Sequence, residues 1–241
     1  MKIVIDLQGL QREGNRKRGI GRYCLEFTKE LIYYYPENEY ILFTNTALTD
    51  ISTYFMEELN NSQLSVQYFH CPTVGDINGP YVGRYSKKWL SIQLRSYALS
   101  IINADILLIT SFFDGFRDNS LVSHDKCFKL PPIVSILYDL IPLIHCEQYL
   151  NIDSEYKSFY LQKINELSSL DGLFAISQSS FIEISSYLDI DKELIFNIST
   201  ACNSKNFSLK TSNSKVDKNY LGKFILYCGA TDPRKNLFRL I

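Results

Sequence analysis

Two adjacent cations near the end of the chain are of the residue types that bind a diphosphate. Arg234 and Lys235 follow Gly229, which comes soon after a short apolar run. The planar guanidinium of arginine matches phosphate oxygens, and lysine adds a point charge. Cations at the start of a helix also oppose its dipole unless an anion is present. We therefore expect Arg234 and Lys235 to bind the phosphates of a ligand.

A glycine pair near the N-terminus offers a second place for an anion. Gly19 and Gly21 open a predicted helix, and Arg22 follows them. Free N–H groups at a helix N-terminus attract an anion, and glycine lets the backbone come close to it. The pattern is shorter than the dinucleotide fingerprint, because Cys24 holds the last glycine position. A solvated loop punctuated by glycines is the alternative, and the pair taken alone favours it.

A carboxylate follows one of the most apolar runs of the sequence. Asp139 stands directly after Tyr138, at the end of the predicted strand Ile133–Tyr138. In open α/β sheets, ligands bind at the carboxyl ends of the strands. A carboxylate there can orient or deprotonate a hydroxyl group. A turn or helix cap is the alternative role for Asp139, and the sequence leaves both open.

The remaining candidate ligands do not have the spacing of a metal site. The three histidines are isolated, and Asp189 and Asp191 lie between a predicted helix and a strand, where capping explains both acids. Ser177 is predicted to cap the following helix. The six cysteines contain no close pair, which excludes a zinc cluster and favours a reduced, cytoplasmic setting. We expect no metal.

Alternating strands and helices must position these residues. Most of the strand candidates are apolar along their length, which is typical of a parallel sheet covered on both faces. The pattern predicts a doubly wound α/β fold. The predicted strands are Lys2–Asp6, Tyr40–Thr44, Leu64–Phe69, Asp105–Thr110, Ile133–Tyr138, Gly172–Ile176 and Leu194–Ile198. The predicted helices are Ile20–Tyr35, Arg84–Asn103, Asp153–Ser169 and Ser179–Leu188.

One predicted helix lies in a stretch without acidic residues, 77–104. Helical spacing places a basic face opposite an apolar one. That basic face suits an anionic membrane or an anionic lipid-linked acceptor. A helix packed on the core with a solvated basic face is the alternative, which the pattern favours. The basic face comprises Arg84, Lys88, Ser91 and Arg95, and the apolar face Leu90, Leu94, Tyr97, Ala98 and Ile101.

The composition is that of an ordinary globular protein. The chain has 241 residues and a formal net charge of −1, so no charge imbalance points to nucleic acid. The polar stretch 208–222 is the predicted linker between a first domain, 1–207, and the beginning of a second, 223–241. A strand at Phe224–Tyr227 and a helix from Lys235 are predicted in the second part.

Taken in order, the motifs resemble family 4 of the GT-B glycosyltransferases. The best match is to the mannosyltransferase-like enzymes that build bacterial surface polysaccharides. The residues that carry the resemblance are Met1–Asp6, Gly19–Tyr23, Tyr138–Leu143, Ala175–Ser180 and Tyr227–Leu237.

The resemblance implies a fold, a reaction and roles for several residues. The family has two Rossmann-like domains, of which the first holds the acceptor and the second the nucleotide sugar. It implies retaining transfer from a nucleoside diphosphate sugar to a glycan or lipid-linked acceptor without a metal cofactor. Gly19, Gly21, Arg234 and Lys235 would then bind the donor phosphates. Asp139 would be catalytic at the acceptor hydroxyl, with Tyr138 and Arg22 beside it.

Two departures from the family pattern are visible. Many members have histidine where this chain has Tyr138, and tyrosine is a poor base at neutral pH. This chain does not contain the paired glutamates of the family's second domain, so we expect it to be inactive by itself. A non-catalytic acceptor-binding or docking module is the alternative function. A nicotinamide-dependent enzyme is the least favoured, since Thr44–Thr46 lacks the acidic ribose-binding residue.

Overall fold

The computed structural model describes residues 1–60, 64–70 and 87–200, together with 225–227, 229, 232 and 235–240. The chain divides into two units, Met1–Ala201 and Cys202–Ile241. The predicted linker 208–222 lies outside the described residues. The predicted domain limits at 207 and 223 therefore stay predictions.

Within the described residues, the first unit is built on a sheet of seven strands. Each neighbouring pair is parallel. The strands lie side by side in the order β3-β2-β1-β4-β5-β6-β7. All seven predicted strands are confirmed, with ends that differ by at most one residue. In chain order they are β1 (Lys2–Asp6), β2 (Glu39–Asn45), β3 (Leu64–Phe69), β4 (Ile106–Ile109), β5 (Ile133–Leu137), β6 (Gly172–Ala175) and β7 (Ile195–Asn197).

Helices cover both faces of this sheet, and the four predicted helices are present. The Ser177 hydroxyl accepts from the Ser180 N–H and caps the last of them, while Asp153 caps the one before. In chain order, the described helices are α1 (Gln8–Gln11), α2 (Glu13–Arg16), α3 (Gly19–Tyr34), α4 (Met56–Leu59), α5 (Lys87–Ser100), α6 (Ile141–Ile144), α7 (Cys146–Tyr149), α8 (Ser154–Leu167) and α9 (Gln178–Tyr187).

Consecutive strand residues belong to two different hydrophobic layers, because side chains alternate across a strand. Val4 packs into one layer together with Leu99 of α5, Leu167 of α8 and Ile184 of α9. Ile5 packs into the other layer, to which α3 contributes Cys24 and Ile32. The sheet is therefore buried on both faces, and the prediction of a doubly wound α/β fold is confirmed.

The strand order reverses between β1 and β4. From β1 the chain adds β2 and β3 on one side, and then returns to add β4 to β7 on the other. The loops that leave the carboxyl ends of β1 and β4 therefore diverge, and ligands in this class of fold bind at such a point. A ligand site is therefore expected at the carboxyl edge of the sheet, around Leu7, Thr110 and Tyr138.

The prediction for the faces of α5 was wrong. Ser91 and Arg95 of the predicted basic face are buried, and Lys88 is half-buried. The predicted apolar face carries the solvent-exposed side chains, namely Leu90 (45% exposed), Leu94 (39%), Tyr97 (55%) and Ile101 (58%). Of the described helices, none is long and apolar enough to cross a bilayer.

A buried ion pair explains why α5 is turned this way. The Nη2 atom of Arg95 lies 2.6 Å from Oδ2 of Asp6, and both side chains are at most 1% exposed. A charged group without its partner in the interior is strongly destabilising. The position of Asp6 at the end of β1 therefore fixes the basic side of α5 toward the sheet.

The predicted strand in the second unit is not observed in its described part. Ile225–Tyr227 are outside any strand, and the 3₁₀ helix Leu237–Arg239 lies where a helix was predicted. A strand forms only where a neighbour completes its ladder of hydrogen bonds. None of the described residues pairs with Ile225–Tyr227, so apolar character alone misled the prediction there.

Candidate functional site at the carboxyl edge of the sheet

Asp139 is half-buried at the end of β5. Its Oδ1 atom accepts the N–H of Ile141 at 3.1 Å, which is the turn role that the sequence allowed. The next residue, Leu140, donates its N–H to the Glu183 carboxylate of α9 at 3.1 Å. The turn is thus fixed from two sides, and the Asp139 carboxylate is held at the edge where the fold binds ligands.

Tyr138 connects three elements beside Asp139. Its hydroxyl donates to the Thr110 carbonyl at 3.0 Å, at the end of β4, and lies 3.3 Å from the Cys24 sulfur of α3. Its ring meets the ring of Tyr23 edge-on. Burial raises the pKa of Tyr138 far above its usual value. The residue therefore stays protonated and pins β5 to β4 and α3.

The N-terminus of α3 packs directly on α2 at Gly21. A Cβ atom added to Gly21 would lie 2.6 Å from the Cα atom of Arg16 and would also meet the Asn15 carbonyl. Gly19 has open space on the corresponding side. The two glycines therefore differ, since Gly21 is required by helix packing while Gly19 is not. Arg22 is exposed. Their predicted contacts with phosphate and acceptor stay predictions.

The predicted diphosphate-binding pair is described only in part. Lys235 is exposed, and its backbone N–H donates to the Asp232 carbonyl at 2.9 Å. Arg234 lies outside the described residues, so the role of the pair stays a prediction.

A buried carboxylate that the motifs did not reveal lies in the loop after β4. Asp114 is 2% exposed, and its Oδ1 atom accepts from Arg12 at 3.0 Å and from Asn15 at 2.7 Å. Burial raises the pKa of Asp114, against the lowering effects of Ser111 and of Arg12. Asp114 thereby ties the segment between β1 and α3 to the end of β4. The only sequence signal was a polar residue soon after an apolar run.

Polar side chains also fill the interior below this edge. Gln8 donates to the Asp6 carboxylate at 3.0 Å and to the Leu121 carbonyl at 2.7 Å, and it accepts from the Leu121 N–H. Arg95 completes the Asp6 pair and reaches the Ser123 carbonyl at 3.4 Å. The loop after β4 is therefore fastened to the end of β1 by buried hydrogen bonds, which make the edge rigid.

An open groove of about 350 Å³ lies along the same edge. Residues from three connections form its walls: α1 and α2, the turn after β2, and the loop after β4. Arg12 joins the groove to the buried carboxylate of Asp114, because its guanidinium contacts both Asp114 and Asp118. Six of its nine lining residues carry polar side chains, and the other three are Gly14, Ala47 and Leu48.

Of the two acids Asp189 and Asp191, the second caps a short helix, as the sequence predicted. Asp191 accepts the N–H of Glu193 and caps the 3₁₀ helix Lys192–Leu194, and Asp189 is exposed. Over the described ranges, no group of three or more metal-ligating side chains is close enough to hold an ion.

These features define a Rossmann-like α/β domain with polar side chains along the carboxyl edge of the sheet, where the strand order reverses. No protein-family model matches the chain. Over its whole length, in an alignment of 251 residues, the chain is 30% identical to the serotype-specific mannosyltransferase WbdA of Escherichia coli. A second match, under the same name and organism, is 36% identical over 152 residues.

These matches bear out the resemblance to a mannosyltransferase-like glycosyltransferase of the GT-B type, and the chain is homologous to a part of WbdA. It spans 29% of the length of the first relative. The second match covers 61% of this chain and 18% of that relative.

Proposed function

We propose that this chain is the acceptor-side part of a retaining glycosyltransferase. The enzyme moves a sugar from a nucleoside diphosphate sugar to a glycan or lipid-linked acceptor. The observation that carries the proposal is the match of the whole chain to WbdA, a mannosyltransferase, at 30% identity. Mannose is therefore the donor sugar that we propose first, and a bacterial surface polysaccharide is the class of product.

The proposed chemistry divides between a carboxylate and two cations. Asp139 holds the acceptor hydroxyl in line and accepts its proton as the new glycosidic bond forms. Arg234 and Lys235 neutralise the charge that develops on the leaving diphosphate, which is why no metal is needed in this scheme. Gly21 and Gly19 bring the N-terminus of α3 near the donor phosphates.

The arrangement at the carboxyl edge supports these roles. Asp139 follows β5, which lies next to β4, and α3 begins on the other side of the strand reversal. The hydroxyl of Tyr138 bonds to the Thr110 carbonyl and contacts Cys24 of α3, so these parts form one connected structure. A hydroxyl-bearing ligand at this edge would therefore lie near both elements.

The function is tested with the polypeptide encoded by the complete open reading frame. The protein is incubated with labelled nucleoside diphosphate sugars, GDP-mannose among them, and with glycolipid extracted from the host. We expect transfer of label from one donor into glycolipid, with retained anomeric configuration by NMR. A folded protein that transfers no sugar from any donor but binds the glycan would instead support the docking module.

We also propose that the first unit rests on the cytoplasmic face of an anionic membrane through α5. The exposed side chains of Leu90, Leu94, Tyr97 and Ile101 form an apolar stripe along the helix. The ring of Phe128 lies 6.4 Å from that of Tyr97, so the loop carrying the exposed Lys126 and Lys129 borders the stripe. Apolar side chains beside exposed lysines suit an interface with anionic lipids.

The membrane proposal is tested by flotation with vesicles of phosphatidylethanolamine and phosphatidylglycerol. We expect Leu94→Ser with Tyr97→Ser to weaken binding about tenfold or more, since two exposed apolar side chains that would enter the lipid are removed. Ile182→Ser with Tyr187→Ser, on α9, is the matched control, because those side chains are exposed to a similar degree. Equal flotation of both double variants would refute a contact through α5.

A further inference from the structure

Five aromatic rings gather between the loop after β4 and the first half of α8. Phe113 stacks on Tyr160 with ring centroids 4.6 Å apart. Phe116 meets Tyr156 at 5.1 Å and Phe159 at 5.5 Å. Since α8 begins at the carboxyl edge of the sheet, the rings lie on the side of the molecule where β5 ends. Phe113 packs against the hydrophobic layer that contains Val4, whereas Tyr156 and Tyr160 bring hydroxyl groups.

The Tyr160 hydroxyl is buried without a hydrogen-bond partner among the described residues. The side chain is 2% exposed. A buried hydroxyl that makes no hydrogen bond costs about 1–3 kcal/mol. The N–H of Leu143, which lies nearby, already donates to the Leu140 carbonyl at 2.9 Å. A phenylalanine would fill the same space without this cost, so packing alone does not explain the hydroxyl.

The two tyrosines lie within the electrostatic reach of Asp139. Burial raises the pKa of Tyr160, the neighbouring Tyr156 and Asp139 raise it further, and the nearby N–H of Leu143 opposes them. Burial also raises the pKa of Tyr156, which the cation of Arg12 opposes and Asp139 reinforces. Tyr156 is therefore near enough to Arg12, in the wall of the groove, and to Asp139, at the end of β5, for both charges to act on it.

We propose that Tyr156 and Tyr160 form a subsite for a neutral sugar ring of the acceptor, next to Asp139. This inference rests on the proposed function. The half-buried ring of Tyr156 packs against one face of the sugar, and rotation of this side chain opens the way to Tyr160. The Tyr160 hydroxyl then donates to a ring hydroxyl, while the Asp139 carboxylate receives the reacting one.

The charges around the subsite favour an uncharged, hydroxyl-rich ligand. Asp139, Asp114 and Glu183 lie toward this edge, and Arg12 is already engaged by Asp114 and Asp118. An anionic group placed there would face carboxylates without a free cation from Arg12. A sugar hydroxyl, in contrast, both donates to a carboxylate and accepts from a phenol.

Removal of a single atom tests the subsite. In the complete enzyme, we expect Tyr160→Phe to raise KM for the acceptor about tenfold, the effect of losing one hydrogen bond. The kcat at saturating acceptor and KM for the donor stay near those of the parent. Melting temperature is unchanged or higher, because the folded protein loses no hydrogen bond. Tyr187→Phe, at an exposed position on α9, is the control.

A second variant and a binding assay keep the failure of the subsite separate from the failure of the proposed function. Tyr156→Ala is expected to weaken acceptor binding further, by removing the stacking surface. Saturation-transfer NMR with the methyl glycosides of mannose, glucose and galactose measures binding without any transfer reaction. Saturable binding that is lost in Tyr160→Phe supports the subsite even if the protein transfers no sugar from any donor.

Two results would overturn the inference. The first is an unchanged acceptor KM in Tyr160→Phe together with a lower melting temperature, which assigns the hydroxyl to stability. The second is the absence of glycoside binding by the folded parent protein at tens of millimolar.

Discussion

At the scale of single residues, Asp139 combines a local contact with a place at the ligand-binding edge. The contact with the Ile141 N–H uses one carboxylate oxygen as a hydrogen-bond acceptor. An asparagine side chain also offers one oxygen acceptor, so it can keep this contact while it removes the charge. The structural and the chemical role of Asp139 can therefore be separated by one substitution.

Asp139→Asn in the complete enzyme is expected to reduce kcat by roughly 10²–10⁴, the usual effect of a positioned acid or base. The melting temperature should change little, because the turn is retained. Rate and melting curve are measured on the same preparation, with Asp189→Asn as the exposed control. A normal rate in the Asp139→Asn protein would remove this carboxylate from the mechanism, and a lowered melting temperature with a normal rate would assign it to the turn.

His124 is a residue whose surroundings make stability depend on pH. Burial and, after it, the nearby cation Arg95 lower its pKa from 6.5 to about 4. The unfolded chain thus binds a proton at a higher pH than the folded chain, so acid favours unfolding. The contribution of His124 to stability is present above pH 6.5 and is lost as the pH falls from 6.5 toward 4.

Thermal melts across this pH range check the effect. The melting temperature of the parent should fall between pH 6.5 and pH 4.5, and that of His124→Asn should fall less steeply. His145→Asn, at an exposed position, serves as the control. If the melting temperatures of the parent and of His124→Asn fall in parallel as the pH is lowered, groups other than His124 cause the loss of stability in acid.

At the scale of elements, the junction between α2 and α3 depends on the absence of one side chain. Backbone atoms of Asn15 and Arg16 occupy the space next to Gly21. Asn15 is itself bonded to Asp114 at 2.7 Å. The start of α3 is thus positioned by contacts that run back to the end of β4.

Gly21→Ala should force α3 away from α2 and destabilise the fold by about 1–3 kcal/mol, the usual effect of overpacking. Gly19→Ala is the matched control, because a methyl group there meets nothing within 4 Å, and alanine favours a helix over glycine. Urea unfolding of the two variants measures the difference. If Gly21→Ala and Gly19→Ala were equally stable, α2 and α3 would be able to move apart at no cost in free energy.

At the scale of the whole molecule, the inner strands could be predicted because they are short, largely apolar runs buried on both faces, whereas the outer strands β3 and β7 are partly exposed. Val4 and Ile5 belong to different layers, and a sequence that is apolar at every position shows this directly. The faces of α5 could not be predicted in this way, because the partner of Arg95 is Asp6, almost ninety residues earlier.

The candidate site was predictable only where a residue follows a strand directly. Asp139 and Tyr138 were found by their position after an apolar run. Asp114 lies farther into its loop, and only the fold brings it to Arg12 and Asn15. The Tyr160 hydroxyl could not be found from the sequence either, because a missing hydrogen-bond partner is visible only in three dimensions.

The central position of β1 sets an order of events during synthesis. Among the strands of this sheet β1 is made first, and β2 can pair with it early. Its second neighbour, β4, follows about a hundred residues later, since Ile3 pairs with Ile106. Pairing across such a sequence separation is slow. One edge of β1 therefore waits without its partner while more than a third of the chain is made, and this interval is when the nascent protein is most open to aggregation or chaperone binding.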